Sequence, residues 1–141
     1  MSTPKLLGIE IIIQDISAAL ALLVDALGLE LAERFTSIDP AGQMAVLSVG
    51  DVAIMLFEPA SSGPGFVLPT REPRLSQIIL GVAAGELVSA GERLSAAGIA
   101  SQHADESRFF VPPATVAGAL GVQTAIVLTD PAAAIASRQP D

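Results

Sequence analysis

The 141-residue chain contains no cysteine, no tryptophan and no tyrosine. Without cysteine there is no disulfide, no thiolate metal site and no cysteine nucleophile. Five phenylalanines are the whole aromatic complement, which leaves little material for a site built on ring stacking. Basic residues are scarce as well: seven Lys and Arg stand against 15 Asp and Glu, for a net charge of −8. Nucleic-acid binding depends on clustered cations that neutralise phosphates; the sequence has no such cluster, and nucleic acid is not an expected partner. The acidity is what a colloidally stable surface carries. Apolar residues make up 51% of the chain, but no run reaches the ~20 residues that a membrane-spanning helix requires, so no membrane partner is expected. The opening stretch MSTPKLLGIE has neither an apolar signal core nor a small-residue cleavage site, which points to the cytoplasm. The length suits one domain over 1–141.

What the chain does have is repetition. AIMLFEP begins at Ala53, and AIVLTDP begins at Ala125, 72 residues later. Two further matches share nearly that period: the strand-like runs GIEIIIQD from Gly8 and QIILGVAA from Gln77, and the glycines Gly28 and Gly98. Between each run and its glycine lies a segment of helical period. In the first, Leu20, Leu23, Val24 and Leu27 recur at three- and four-residue steps; in the second, Leu87, Gly91 and Leu94 do so more weakly. Each glycine sits where a left-handed residue closes a helix. LELAERF, MAVLSV and VAIMLFE then follow in the first half, separated by the turn-like DPAG and GD, and IASQ, RFFVP and TAIVLTD in the second. Each half thus reads strand, helix, three strands. The expected modules are 6–59 and 75–130, joined by a Gly/Pro/Ser-rich linker over 60–74 and followed by a tail over 131–141.

Two βαβββ units, with DISAALALLVDALGLEL after the first strand, resemble the vicinal oxygen chelate superfamily of glyoxalase-like proteins. AVLSVGDVAIMLFEP gives the methylmalonyl-CoA epimerases as the nearest look. The resemblance implies an α+β fold in which the tandem modules form a curved open-barrel sheet around a cavity, with the helices outside, and it implies a homodimer. It also implies a divalent metal held by residues at four strand positions, which here are Gly8, Met55, Gln77 and Val127. Such a site needs several carboxylate, imidazole or carbonyl donors. Only Gln77 supplies one, and the neighbours Ile9, Leu56, Ile78, Ile126 and Leu128 are apolar too. No metal and no cofactor are therefore expected.

Side chains two apart on a strand share a face. If Gly8 faces the cavity, so does Glu10; Met55 brings Phe57, Gln77 brings Ile79, and Val127 brings Thr129. The expected wall is apolar with Glu10, Gln77 and Thr129 as polar exceptions. Glu10, a lone carboxylate within GIEIII, suits general acid–base chemistry if it is desolvated; the plainer alternative is that it meets solvent or an arginine. The Gln77 amide suits a ligand carbonyl or oxyanion, or else bonds to backbone or to Thr129.

Other polar residues have simpler expectations. Asp39 in SIDPAGQ is the nearest match to the epimerases' second catalytic acid, and it also fits an ordinary turn. His103, with Asp105 and Glu106, could bind a metal weakly, but a solvated loop between two strands is the plainer reading, because one imidazole with flexible carboxylates makes no preorganised site; Asp51 reads as a turn residue. Arg71 and Arg74, in the linker, could meet a carboxylate or phosphate at the cavity mouth or serve as surface charge. Two functions follow: a metal-less protein that binds a small hydrophobic or acyl ligand in an apolar cavity, or an epimerase in which Glu10 moves a proton next to a carbonyl.

Overall fold

The computed structural model describes residues 4–38, 41–60, 73–105 and 108–131. They form two compact units, one of residues 8–76 and one of residues 1–7 with 77–141.

The first unit is built from β1 (Lys5–Ile12, its first residues belonging to the other unit), α1 (Ile16–Leu20), β2 (Glu30–Ile38), β3 (Ala41–Val49) and β4 (Val52–Pro59). Its strands lie in the order β2-β3-β4-β1. The β3–β4 hairpin turns on Gly50 and Asp51, and Gly50 supplies the positive φ (59°) that a tight hairpin demands. β1 and β4 are parallel, so the intervening chain must cross over. α1 makes that crossing and begins under two carboxylates. Asp15 accepts from the Ala18 N–H at 3.1 Å, and Glu58, at the end of β4, accepts from the Ile16 N–H at 2.9 Å. Both satisfy donors that a helix start leaves open.

Past Leu20 the helix widens into a π-helical turn over Ala21–Ala26, closed by Leu27 N–H to Leu22 C=O at 3.0 Å. Widening rotates the end of the helix relative to a 3.6-residue repeat. Leu20, Leu23 and Val24 pack on the core of Ile16, Ala45, Leu47 and Leu56, as their spacing predicts. Leu27, expected in the same stripe, is instead 62% exposed.

The second unit contains β5 (Arg74–Gly81, its first residues belonging to the other unit), α2 (Leu87–Ala96), β6 (Gln102–Asp105), β7 (Arg108–Val111), α3 (Pro113–Leu120) and β8 (Ala125–Thr129). The strand order is β5-β8-β7-β6, again with the first and last strands parallel. Val82, Leu87, Ala90 and Leu128 form its core. The ring of Phe109 packs so closely on Gly91 of α2 that a Cβ there would lie 2.6 Å or less from ring carbons.

The repeat now has a physical meaning. β1 pairs with β4 from Gly8 opposite Ala53 to Ile12 opposite Phe57, and β5 pairs with β8 from Gln77 opposite Ala125 to Gly81 opposite Thr129. Just beyond, Ile13 N–H donates to Phe57 C=O and Val82 N–H to Thr129 C=O, each at 2.8 Å. The repeated segments are the two parallel pairs. Gly28 and Gly98 close their helices with φ of 81° and 75°, as expected.

The second unit departs from the expected strand, helix, three strands by inserting α3 between β7 and β8. Pro113 at the first helical position and Gly121 at φ 79° mark its ends, a pairing that favours helix start and stop. Few of its residues are large, so the apolar period carried little signal.

Candidate functional site

In the first unit, Ile11, Ile54, Leu56, Ala45 and Leu47 all belong to the cluster beneath α1. Alternation along the strands therefore turns Gly8, Glu10 and Ile12, Ala53, Met55 and Phe57, and Met44, Val46 and Ser48 to the helix-free face. The register aligns Glu10 with Met55, and Met55 with Val46. Glu10 is half-buried within this apolar row, and among the described residues none donates a hydrogen bond to its carboxylate. Phe57, expected to line a cavity, is only 5% exposed; its ring covers Gly42, where a Cβ would meet it at 2.6 Å. Little of Phe57 is left for a ligand.

In the second unit, Leu80, Val82, Ile126, Leu128 and Phe109 lie on the α2 side. Gln77, Ile79 and Gly81 thus share the helix-free face with Ala125, Val127 and Thr129. Gln77, Ile79 and Val127 are half-buried. Thr129 is 3% exposed, and its hydroxyl donates to the Asp130 carbonyl at 3.5 Å rather than to Gln77.

The architecture has close parallels among solved structures. Methylmalonyl-CoA epimerase from Mycobacterium tuberculosis superposes with a TM-score of 0.65 at 23% identity, covering 96% of both chains. A hypothetical protein from Bacillus halodurans follows at 0.62 and 20%, covering 99% of both. A variant of the Streptomyces coelicolor methylmalonyl-CoA epimerase in complex with 2-nitronate-propionyl-CoA gives 0.61 and 19%, covering 91% of this chain and 99% of that one. The fold is that of these methylmalonyl-CoA epimerase structures, an α+β arrangement on an open sheet. No family model and no curated protein matches the sequence.

The metal usual to the vicinal oxygen chelate fold does not suit the residues present. At the first of its four positions Gly8 has no side chain and no room for one, because a Cβ would lie 2.7 Å from the Ala53 carbonyl oxygen. At the second, Met55 offers a soft thioether; at the fourth, Val127 offers nothing. Gln77 alone is an oxygen donor, which falls short of a divalent site. Among the described residues, no three His, Cys, Asp or Glu cluster elsewhere to hold an ion.

The remaining expectations divide. Asp51 is an exposed turn residue, as expected. Arg74 opens β5 and is half-buried rather than lying in a linker, because the strand begins earlier than the apolar pattern suggests. His103 and Asp105 belong to β6, with His103 opposite Phe109, rather than to a loop; the hairpin pairing claims them. Their side chains, like Asp39, Arg71, Glu106, most of the 60–74 linker and nearly all of the 131–141 tail, lie outside the described residues. Sequence reading overlooked Met44, Val46 and Ser48, which counting outward from the Gly50–Asp51 turn would have set opposite Phe57, Met55 and Ala53. Among the described residues, no helix is long and apolar enough to cross a membrane.

Proposed function

We propose that the chain, acting as one domain, binds a small acyl-bearing molecule without a metal ion. The single observation that carries this reading is the helix-free face of the first unit: an apolar surface of Met55, Val46 and Ala53 around one half-buried carboxylate, Glu10, at whose metal-ligand position the backbone leaves no space. Apolar walls with few polar groups are the usual make-up of small-molecule sites. The test is calorimetry with a short acyl-CoA thioester such as propionyl-CoA, on chelator-treated protein with and without cobalt(II). Saturable binding of the thioester, unaffected by cobalt and weakened by Met55→Asp, is the expected result. Stoichiometric cobalt binding would overturn the metal-free reading. Gln77, Ile79, Val127 and Thr129 are further candidates for ligand contact in the second unit, and a homodimer in the cytoplasm is the expected setting; sedimentation velocity tests the dimer.

A second reading is favoured by the neighbours of the same fold, several of which are epimerases. In it, Glu10 removes a proton from the carbon next to a thioester carbonyl, charge builds on the oxygen of the resulting enolate, and water returns a proton to the opposite face. Without a metal to draw charge from that oxygen, a large electrophilic contribution is missing, so turnover is expected to be slow. Deuterium incorporation into methylmalonyl-CoA from heavy water measures it. Exchange that persists unchanged in Glu10→Gln rules out this role for Glu10.

A further inference from the structure

On the helix-bearing side of its sheet the second unit holds a pocket of about 340 Å³. Leu80 of β5, Ile126 and Leu128 of β8, Leu94 of α2, and Val116 and Leu120 of α3 form most of its wall. Among the described residues Thr115 is the one polar residue that borders it, and the surface they present to the pocket is almost wholly apolar. The pocket lies on the opposite side of β8 from the candidate ligand face: Ile126 and Leu128 border it, whereas Ala125, Val127 and Thr129 alternate away.

Its origin is a place where the two halves differ in construction. The first half turns from β3 to β4 at Gly50 and Asp51, while the second runs from Pro112 to Thr124 through α3. α3 buries only Val116. Of its residues that border the pocket, Ala119 is too small to fill the space beside Val116.

The pocket is partly open to solvent, and its apolar lining offers water almost no polar partners. An apolar occupant would remove that surface from water, which is favourable. The volume reaches the lower range of small-molecule pockets. Taking about 30 Å³ for a group the size of a water molecule, it has room for roughly ten such groups. Exposed Leu120 and Ile99, at 62% and 37%, give the site an apolar rim open to solvent.

We propose that this pocket binds the hydrocarbon portion of a small aliphatic molecule, a chain of about eight carbons, independently of the ligand face on the other side of the sheet. The probe is 1-octanol, titrated into the full-length protein with labelled Ile, Leu and Val methyl groups and followed by NMR. Expected are saturable shifts at Leu80, Leu94, Ile126 and Leu128, with Ile11 and Leu47 of the other unit unmoved. Ala119→Phe, which sets a ring against the pocket, should weaken binding at least about tenfold through lost burial of the chain; Val88→Phe, on an exposed part of α2, should leave it unchanged. Because the location of the shifts is read on the unsubstituted protein, the test does not depend on either variant folding. Absence of saturable shifts overturns the proposal. So do nuclear Overhauser contacts from Ile135 to these methyls, which would make the chain's own tail the occupant, and dissociation of an oligomer on adding octanol, which would make it a second copy.

Discussion

The two units share a hydrogen-bonded frame and differ in what is hung on it. Each pairs its first and last strands in parallel over five matched residues and locks the end with the same 2.8 Å backbone bond. On that frame the polar residues have changed places. Glu10 in the first unit corresponds to Ile79 in the second, and Gly8 corresponds to Gln77. The coverings differ too: the first unit has a helix that widens after Leu20 and a tight hairpin, the second has α2 and the added α3 over a pocket. Backbone pairing held constant under duplication, because every strand residue depends on it, while single side chains and one connection were free to diverge.

Paired substitutions can break this comparison. The largest effect is expected in the cores. Leu56, 1% exposed beneath α1, is fully packed; Leu128, 9% exposed, borders the pocket. Truncating a buried leucine costs about 2–5 kcal/mol depending on the cavity left. Leu56→Ala should fall near the upper end and Leu128→Ala near the lower, since Leu128 already lacks neighbours on one side. Urea unfolding of both variants measures the gap, and equal losses would mean that the pocket is occupied.

Next come two helical glycines whose replacement should act in opposite directions. Ala is the better helix former by about 1 kcal/mol. At Gly118 in α3, where a Cβ would meet nothing within 4 Å, Gly118→Ala should raise the melting temperature. At Gly91 in α2, a Cβ runs into the Phe109 ring; Gly91→Ala should destabilise by about 1–3 kcal/mol, as overpacked sites do. Thermal unfolding of the pair reports both signs, and stabilisation by Gly91→Ala would show that the ring can move aside.

The smallest change sharpens the reading of the repeated acid. Glu58→Ala removes the acceptor at the Ile16 N–H and should cost about 1 kcal/mol, with hydrogen exchange rising first in α1. Glu58→Gln, which keeps an acceptor oxygen, should lose less.

The parallel strand pairs, their facing residues and the glycine stops were legible in the sequence because each depends on local rules: alternation at Glu10 and Met55, left-handed φ at Gly28 and Gly98. What escaped depended on contacts distant in sequence. Phe57 is withdrawn from the ligand face by Gly42, on the neighbouring strand, and Leu27 leaves the core where the helix widens. α3 leaves a signal only at its ends, in Pro113 and Gly121, because its small residues carry no apolar period. His103 reads as a loop residue because polar residues flank it, whereas pairing with β7 decides its conformation.

The tight approach of Ala53 to Gly8 also bears on evolutionary reversibility. Between strands this close, a histidine at position 8 requires the β1–β4 pair to part, so the substitution loses stability in advance of any ion that could repay it. Gain of a metal ligand there is a change of at least two steps, with a less stable intermediate. Even if selection favoured metal-dependent chemistry, the strand pair would act as a ratchet, and new activity would arise more readily from Glu10, whose side chain already has its space.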